Sequence, residues 1–149
     1  MKKTFPFKRR LARQTAMQAL YQQSINQQSV DNIIKQFKNI HHYTSDTNEP
    51  MDEVYFLELF QGTLNNLTSI DAYISRYTNR AISEIDIIEL AIARIATYEL
   101  LNKPEIPPKV ILNEALELSK LFGGAESHKF INGVCDKIAR EIRHLEIKK

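Results

Sequence analysis

A single cysteine, Cys135, leaves the chain without an internal disulfide. The N-terminal segment lacks the continuous apolar stretch of a secretory signal, and no run approaches the roughly 18 uncharged apolar residues that span a bilayer. These absences point to a cytoplasmic protein with no membrane segment. Glycine and proline are also scarce, 4 and 5 in 149 residues, and the apolar residues recur at three- and four-residue intervals instead of alternating. The expected class is all-α.

Acid is missing from one end. Residues 1–30 contain Lys2, Lys3, Lys8, Arg9, Arg10 and Arg13, and the first carboxylate is Asp31. That segment carries +6, whereas the rest of the chain carries −4, so a net charge of +2 conceals a strong asymmetry. Catalytic signatures are absent as well: the chain has no Gly-rich phosphate loop, no His-Glu-x-x-His pair and no Gly-x-Ser-x-Gly elbow. An enzyme is not expected, nor a cofactor or a metal. Glu114 and Glu117 have the spacing of a carboxylate pair but no histidine beside them, and read as a solvated face shared with Lys120. His41 and His42 point in different directions from a polar loop, and Cys135 falls on an apolar stripe as a small buried hydrophobe.

What is present suits one domain over residues 1–149: 43% of the residues are apolar and 26% charged. Periodicity and breakers give about seven helices. The first, about residues 8–27, places Ala12, Ala16 and Leu20 inward, with Arg10, Gln14 and Gln18 nearly opposite. A second starts after Ser29 or Asp31 and turns Val30, Ile33, Ile34, Phe37 and Ile40 inward; a third covers about 51–66, and a shorter fourth carries Ile70, Tyr73, Ile74 and Tyr77. "IDIIELAIARIATYELL" is apolar almost all round and reads as a central, buried helix. Pro104, Pro107 and Pro108 end it and start a sixth, which runs to "FGG". The seventh begins near Glu126 or Ser127, with Ile131, Val134, Cys135, Ile138 and Ile142 on one stripe.

Two constellations carry the function. In the first helix, Tyr21 lies about 20° from Arg10 at 100° per residue, so cations, amides and an aromatic ring share one face. Phosphate attraction, hydrogen bonding and stacking are what recognition of single-stranded RNA uses. In the second, "ESHKFING", Ser127 or Glu126 is expected to cap a helix whose first amides suit an anion. Phe130 lies about 90° from the centre of the apolar stripe, either packed or with one ring face open. Lys129 and Lys137 add charge nearby.

"RRLARQTAMQALYQ", "ARIATYELL", "IPPKVILNEALELSKLFG" and "SHKFINGVCDKIA", in that order, resemble the NusB family of bacterial transcription antitermination factors, over about residues 8–142. The resemblance implies two small helical subdomains, three helices and then four, with a boundary near residue 78 (about 1–78 and 79–149). It implies pairing with NusE, a ribosomal small-subunit protein, binding of boxA RNA, and action on RNA polymerase during ribosomal RNA transcription. By position it makes Arg9, Arg10, Arg13, Gln18 and Tyr21, and then Ser127, His128, Lys129, Phe130 and Asn132, the RNA-facing residues. Glu89 matches a position for the NusE contact. Gln14, Ala93 and Cys135 depart from the family pattern without removing any of these contacts.

Two other classes compete with this reading. One is a helical homodimer that uses the central helix as its interface and leaves the arginines solvated. The other is a stand-alone relative of the NusB-like domain of RNA cytosine methyltransferases, for whose catalytic domain 149 residues leave no room. Residues 1–7, cationic with one proline, suggest a mobile arm that orders on RNA.

Overall fold

The computed structural model describes residues 4–39 and 51–144, with side chains from Lys8 to Phe37 and from Met51 to His144. His41 and His42, and the inward position expected of Ile40, lie outside the described residues. Among those described there are seven α-helices and no strand: α1 (Thr4–Asn26), α2 (Val30–Asn39), α3 (Glu53–Asn65), α4 (Leu67–Arg76), α5 (Ile87–Asn102), α6 (Pro108–Phe122) and α7 (Ala125–Ile142). A single 3₁₀ turn, Ile82–Glu84, precedes α5. The chain divides into two compact units, Met1–Leu64 and Asn65–Lys149, so the division falls earlier than the expected position near residue 78.

In the first unit, α1 starts at Thr4 and takes up residues 4–7, which the sequence suggested as a mobile arm. Pro6 falls in the first turn, where its missing N–H is no loss. Beyond it, Leu11 to Leu20 are good helix formers apart from Thr15, whose hydroxyl donates to the Leu11 carbonyl at 2.7 Å. The helix ends because Gln27 adopts a left-handed backbone, φ 54°, with its N–H on the Gln23 carbonyl. Ser29 then opens α2: its Oγ accepts from the Asn32 N–H at 3.1 Å. Ala12, Ala16 and Leu20 are buried as expected, joined by Met17, Ala19, Ile33 and Phe37. Phe37 of α2 meets Phe56 of α3 at 6.3 Å between ring centroids, and Phe56 stacks on Phe60 at 5.9 Å.

In the second unit, α5 is the buried element that its all-round apolarity implied, with most positions from Glu89 to Leu100 inside. Asp86 caps it, accepting from the N–H groups of Ile88 and Glu89. The Arg94–Asp71 pair is bidentate, at 2.9 and 2.8 Å, and binds α4 to α5. This pair and the buried Ile70 and Ile74 place α4 in the second unit, which gives three helices and then four.

At the far end of α5 the buried guanidinium of Arg143 donates to the carbonyls of Leu100, Lys103 and Ile106, each at 2.9 Å. One side chain from beyond α7 thus satisfies carbonyls that a helix end and its loop leave over. Cys135 is buried, and burial pushes its thiol up to about 12, so it stays protonated and unreactive at neutral pH. Glu117 and Lys120 form the expected surface pair, 3.6 Å apart.

Candidate nucleic-acid interface

Three arginines open α1, and the fold treats each differently. Arg10 is exposed. Arg9 is half-buried: its guanidinium lies over the Tyr55 ring, 4.1 Å from the centroid, and its Nε is 3.8 Å from the Asp52 carboxylate. Arg13, expected to hold phosphate, is instead 5% exposed and sits 5.6 Å from the centroid of the same ring.

Helical geometry explains the difference. Arg9 and Arg13 are four apart and so share a face, and that face meets α3; Arg10 is rotated about 100° from Arg9 and about 60° from Arg13. Asp52 completes the arrangement, since its N–H donates to the Lys8 carbonyl at 3.1 Å and its side chain caps α3 by accepting from the Tyr55 N–H at 3.0 Å. Two cations against one aromatic ring are tolerable because the ring's negative quadrupole and a carboxylate offset their repulsion.

On the outer face of α1, Tyr21 is 41% exposed and Gln18 half-buried. An exposed aromatic ring on the same side as Arg10 is the arrangement that the spacing predicted.

The second constellation lies in the other unit. Helix α7 starts at Ala125 with Gly124 as its N-cap and no side-chain cap, so neither Ser127 nor Glu126 has the capping role expected of it. Ser127 is buried one turn in, and its hydroxyl donates to Glu89 Oε2 at 2.8 Å. The approach is close: a Cβ on Gly123 would lie 2.5 Å from Ser127 Oγ. Glycine at 123 is therefore required by space, not only by the need to end α6.

Glu89, expected to reach a protein partner, is 7% exposed. Its Oε1 is buried and accepts no hydrogen bond, with the Arg80 guanidinium 3.6 Å away. Arg80 also lies over the Phe130 ring, 4.7 Å from the centroid. Phe130 is half-buried at the edge of the core, while His128, Lys129 and Asn132 of the same helix point to solvent.

The fold thus brings Ser127, Glu89 and Phe130 together through Arg80, a residue that sequence reading passed over. Nothing in the helical periodicity marks Arg80, because it lies in the turn between α4 and the 3₁₀ turn. No group of three or more metal-ligating side chains occurs among the described residues, and no helix there is long and apolar enough to cross a membrane.

Comparison with known proteins gives these surfaces a context. The model of the NusB family matches residues 10–140. The transcription antitermination protein NusB of Pseudomonas fluorescens (strain Pf0-1) is 42% identical over 141 residues, covering 95% of this chain and 82% of that protein. The protein of the same name from Pseudoalteromonas atlantica is 41% identical over 142 residues, covering 95% and 98%. Among solved structures, T. maritima NusB superposes with a TM-score of 0.79 at 28% identity, covering 95% of this chain and 97% of that one. A crystal structure of the antitermination factors NusB and NusE in complex with dsRNA matches with a TM-score of 0.75 at 23% identity, covering 90% and 97%; at that identity the likeness is one of fold.

Proposed function

Because this chain belongs to the NusB family, we propose that it is a transcription antitermination factor, a cytoplasmic, non-enzymatic protein that binds boxA-like RNA as a heterodimer with NusE and acts on RNA polymerase during ribosomal RNA synthesis. The observation that carries the RNA reading is the exposed pair Arg10 and Tyr21 on the acid-free end of the chain. A cation for phosphate and a ring for a base, on one rigid helix face, are the two elements of single-strand binding.

Among the three arginines, Arg10 is the one turned outward to hold phosphate, with the half-buried Gln18 about two turns further along the helix for hydrogen bonding. Arg9 contributes charge at the margin, and Arg13 supports the face from within by packing on Tyr55. In the second unit, His128, Lys129 and Asn132 form the solvent-facing side of α7 and Phe130 offers the edge of its ring. The burial of Ser127 and Glu89 argues for supporting roles under that surface, not for direct contact with RNA or NusE.

The test is a titration of labelled boxA RNA with the protein, alone and with NusE, followed by fluorescence anisotropy at two salt concentrations. Salt-sensitive binding that prefers boxA to a scrambled RNA and tightens with NusE supports the proposal. Equal binding of both RNAs with and without NusE would reduce the surface to a generic basic patch.

A further inference from the structure

Arg80 is a cation with work left to do. Its backbone N–H is fixed by Thr78 Oγ1 at 3.2 Å, and its side chain is 45% exposed. Two groups aim the guanidinium, the Phe130 ring at 4.7 Å and Glu89 Oε1 at 3.6 Å. Glu89 is buried, so its attraction for Arg80 is screened less by water than that of a surface carboxylate. Ser127 holds the other carboxylate oxygen in place. Neither aiming contact consumes a hydrogen bond: the five N–H donors of the guanidinium form none among the described residues. An oriented, solvent-facing fork of donors beside a half-exposed aromatic ring matches a nucleotide, whose phosphate oxygens lie next to a stackable base.

We infer that Arg80 is an RNA-contacting residue: its outward N–H groups take a phosphodiester oxygen of the strand whose base stacks at Phe130, and Glu89, backed by Ser127, is the positioning residue that holds the guanidinium there. This rests on the reading that Phe130 meets RNA. RNA fits better than a partner protein's carboxylate, because the part of the half-buried Phe130 ring that the guanidinium leaves uncovered gives a base an apolar contact and gives a carboxylate nothing.

The experiment titrates fluorescein-labelled boxA RNA with the full chain, with and without NusE, over a range of salt concentrations. It compares wild type with Arg80→Gln, Arg80→Lys, Glu89→Gln, Phe130→Ala and the double variant Arg80→Gln/Glu89→Gln, and melts each variant to check folding. Arg80→Gln should weaken binding about tenfold and lower the salt slope by about one; it also leaves the buried Glu89 carboxylate without its cation, so binding is read at a temperature where the melt shows the variant folded. Arg80→Lys should restore the slope. Glu89→Gln should weaken binding in the wild-type background and have no further effect in Arg80→Gln, since a positioning residue acts through the group it positions.

Unchanged affinity and slope for Arg80→Gln would overturn the assignment, and Phe130→Ala then separates two cases. Weakened binding by Phe130→Ala would leave the RNA reading of α7 standing without Arg80, whereas normal binding would remove both. Tighter binding by Arg80→Gln would also overturn it, by making the guanidinium a competitor for the ring. Unaltered RNA binding with a weakened NusE complex would reassign Arg80 to the protein partner.

Discussion

The hydroxyl of Ser127 donates to the buried carboxylate of Glu89 across 2.8 Å, joining the first turn of α7 to the first turn of α5. Removing the donor leaves a buried carboxylate oxygen without its partner. Ser127→Ala should therefore cost about 1–3 kcal/mol of stability in urea denaturation. The loss should shrink when Glu89→Gln is also present, because the unpaired charge is then gone. Additive losses in the double variant would show that the two groups do not interact.

Gly123 and Gly124 are adjacent and should respond unequally to alanine. A Cβ on Gly123 would meet Ser127 Oγ at 2.5 Å, Ser127 Cβ at 2.6 Å and the Ser119 carbonyl at 3.1 Å, whereas one on Gly124 meets nothing within 4 Å. Gly123→Ala should destabilise by about 1–3 kcal/mol, the range for overpacking, and displace Ser127. Gly124→Ala should lose no more than a typical N-cap effect, about 1 kcal/mol or less. Equal melting midpoints for the two variants would contradict the packing described here.

Arg10 and Arg13 should separate binding from stability. Arg10→Ala is expected to weaken RNA binding and flatten its salt dependence with no change in melting, since the residue is exposed. Arg13→Ala is expected to lose about 1–3 kcal/mol of stability, because a buried stem and a contact with Tyr55 go with it. A normal unfolding curve for Arg13→Ala, together with a loss of RNA affinity like that of Arg10→Ala, would return Arg13 to the binding surface.

Gln27 holds a left-handed backbone that glycine adopts freely, φ 54°. Gln27→Gly should stabilise the protein by about 0.5–1 kcal/mol, the relief of that strain less the added chain entropy of the unfolded state. A lower midpoint in chemical denaturation would mean that the Gln27 side chain contributes more than its backbone costs.

Glu141 gives one pH-dependent contribution. The Tyr77 hydroxyl donates to it at 2.7 Å and Arg76 pairs with its other oxygen; chiefly the Tyr77 hydrogen bond, then Arg76, hold the carboxyl below its ordinary 4.5. A carboxyl depressed on folding stabilises above its unfolded value, and that contribution is lost as pH falls through the folded one. The melting difference between wild type and Glu141→Gln should thus be full at neutral pH and fade below 4.5. The site is exposed, so the difference should also shrink in high salt. A gap that persists unchanged into strong acid would assign the effect to something other than the charge.

Much of this was legible in the order of residues. Ser29, Asp86, the Pro107 and Pro108 pair and the glycines after Phe122 act locally, and the helices begin and end close to where those residues imply. The apolar character of residues 85–101 marked α5 as interior, and Cys135 as a buried thiol followed from its place on a stripe. The four ordered motifs also carried the family, over nearly the same residues that its model matches.

Long-range pairing was not legible. Sequence spacing gives the angle between two side chains on one helix, but not which neighbour covers that angle. Arg9, Arg10 and Arg13 therefore read as one basic cluster, until Tyr55 and Asp52, more than forty positions along, took two of them inward. Glu89 and Ser127, 38 positions apart, each read as outward-facing for the same reason. The sequence determined the helices, their ends and the asymmetry of charge, because those depend on interactions within a few residues. Which arginine meets solvent, which carboxylate is buried, and that Arg80 stands over Phe130 were decided by the tertiary structure, because exposure and electrostatic environment are properties of what packs alongside a residue.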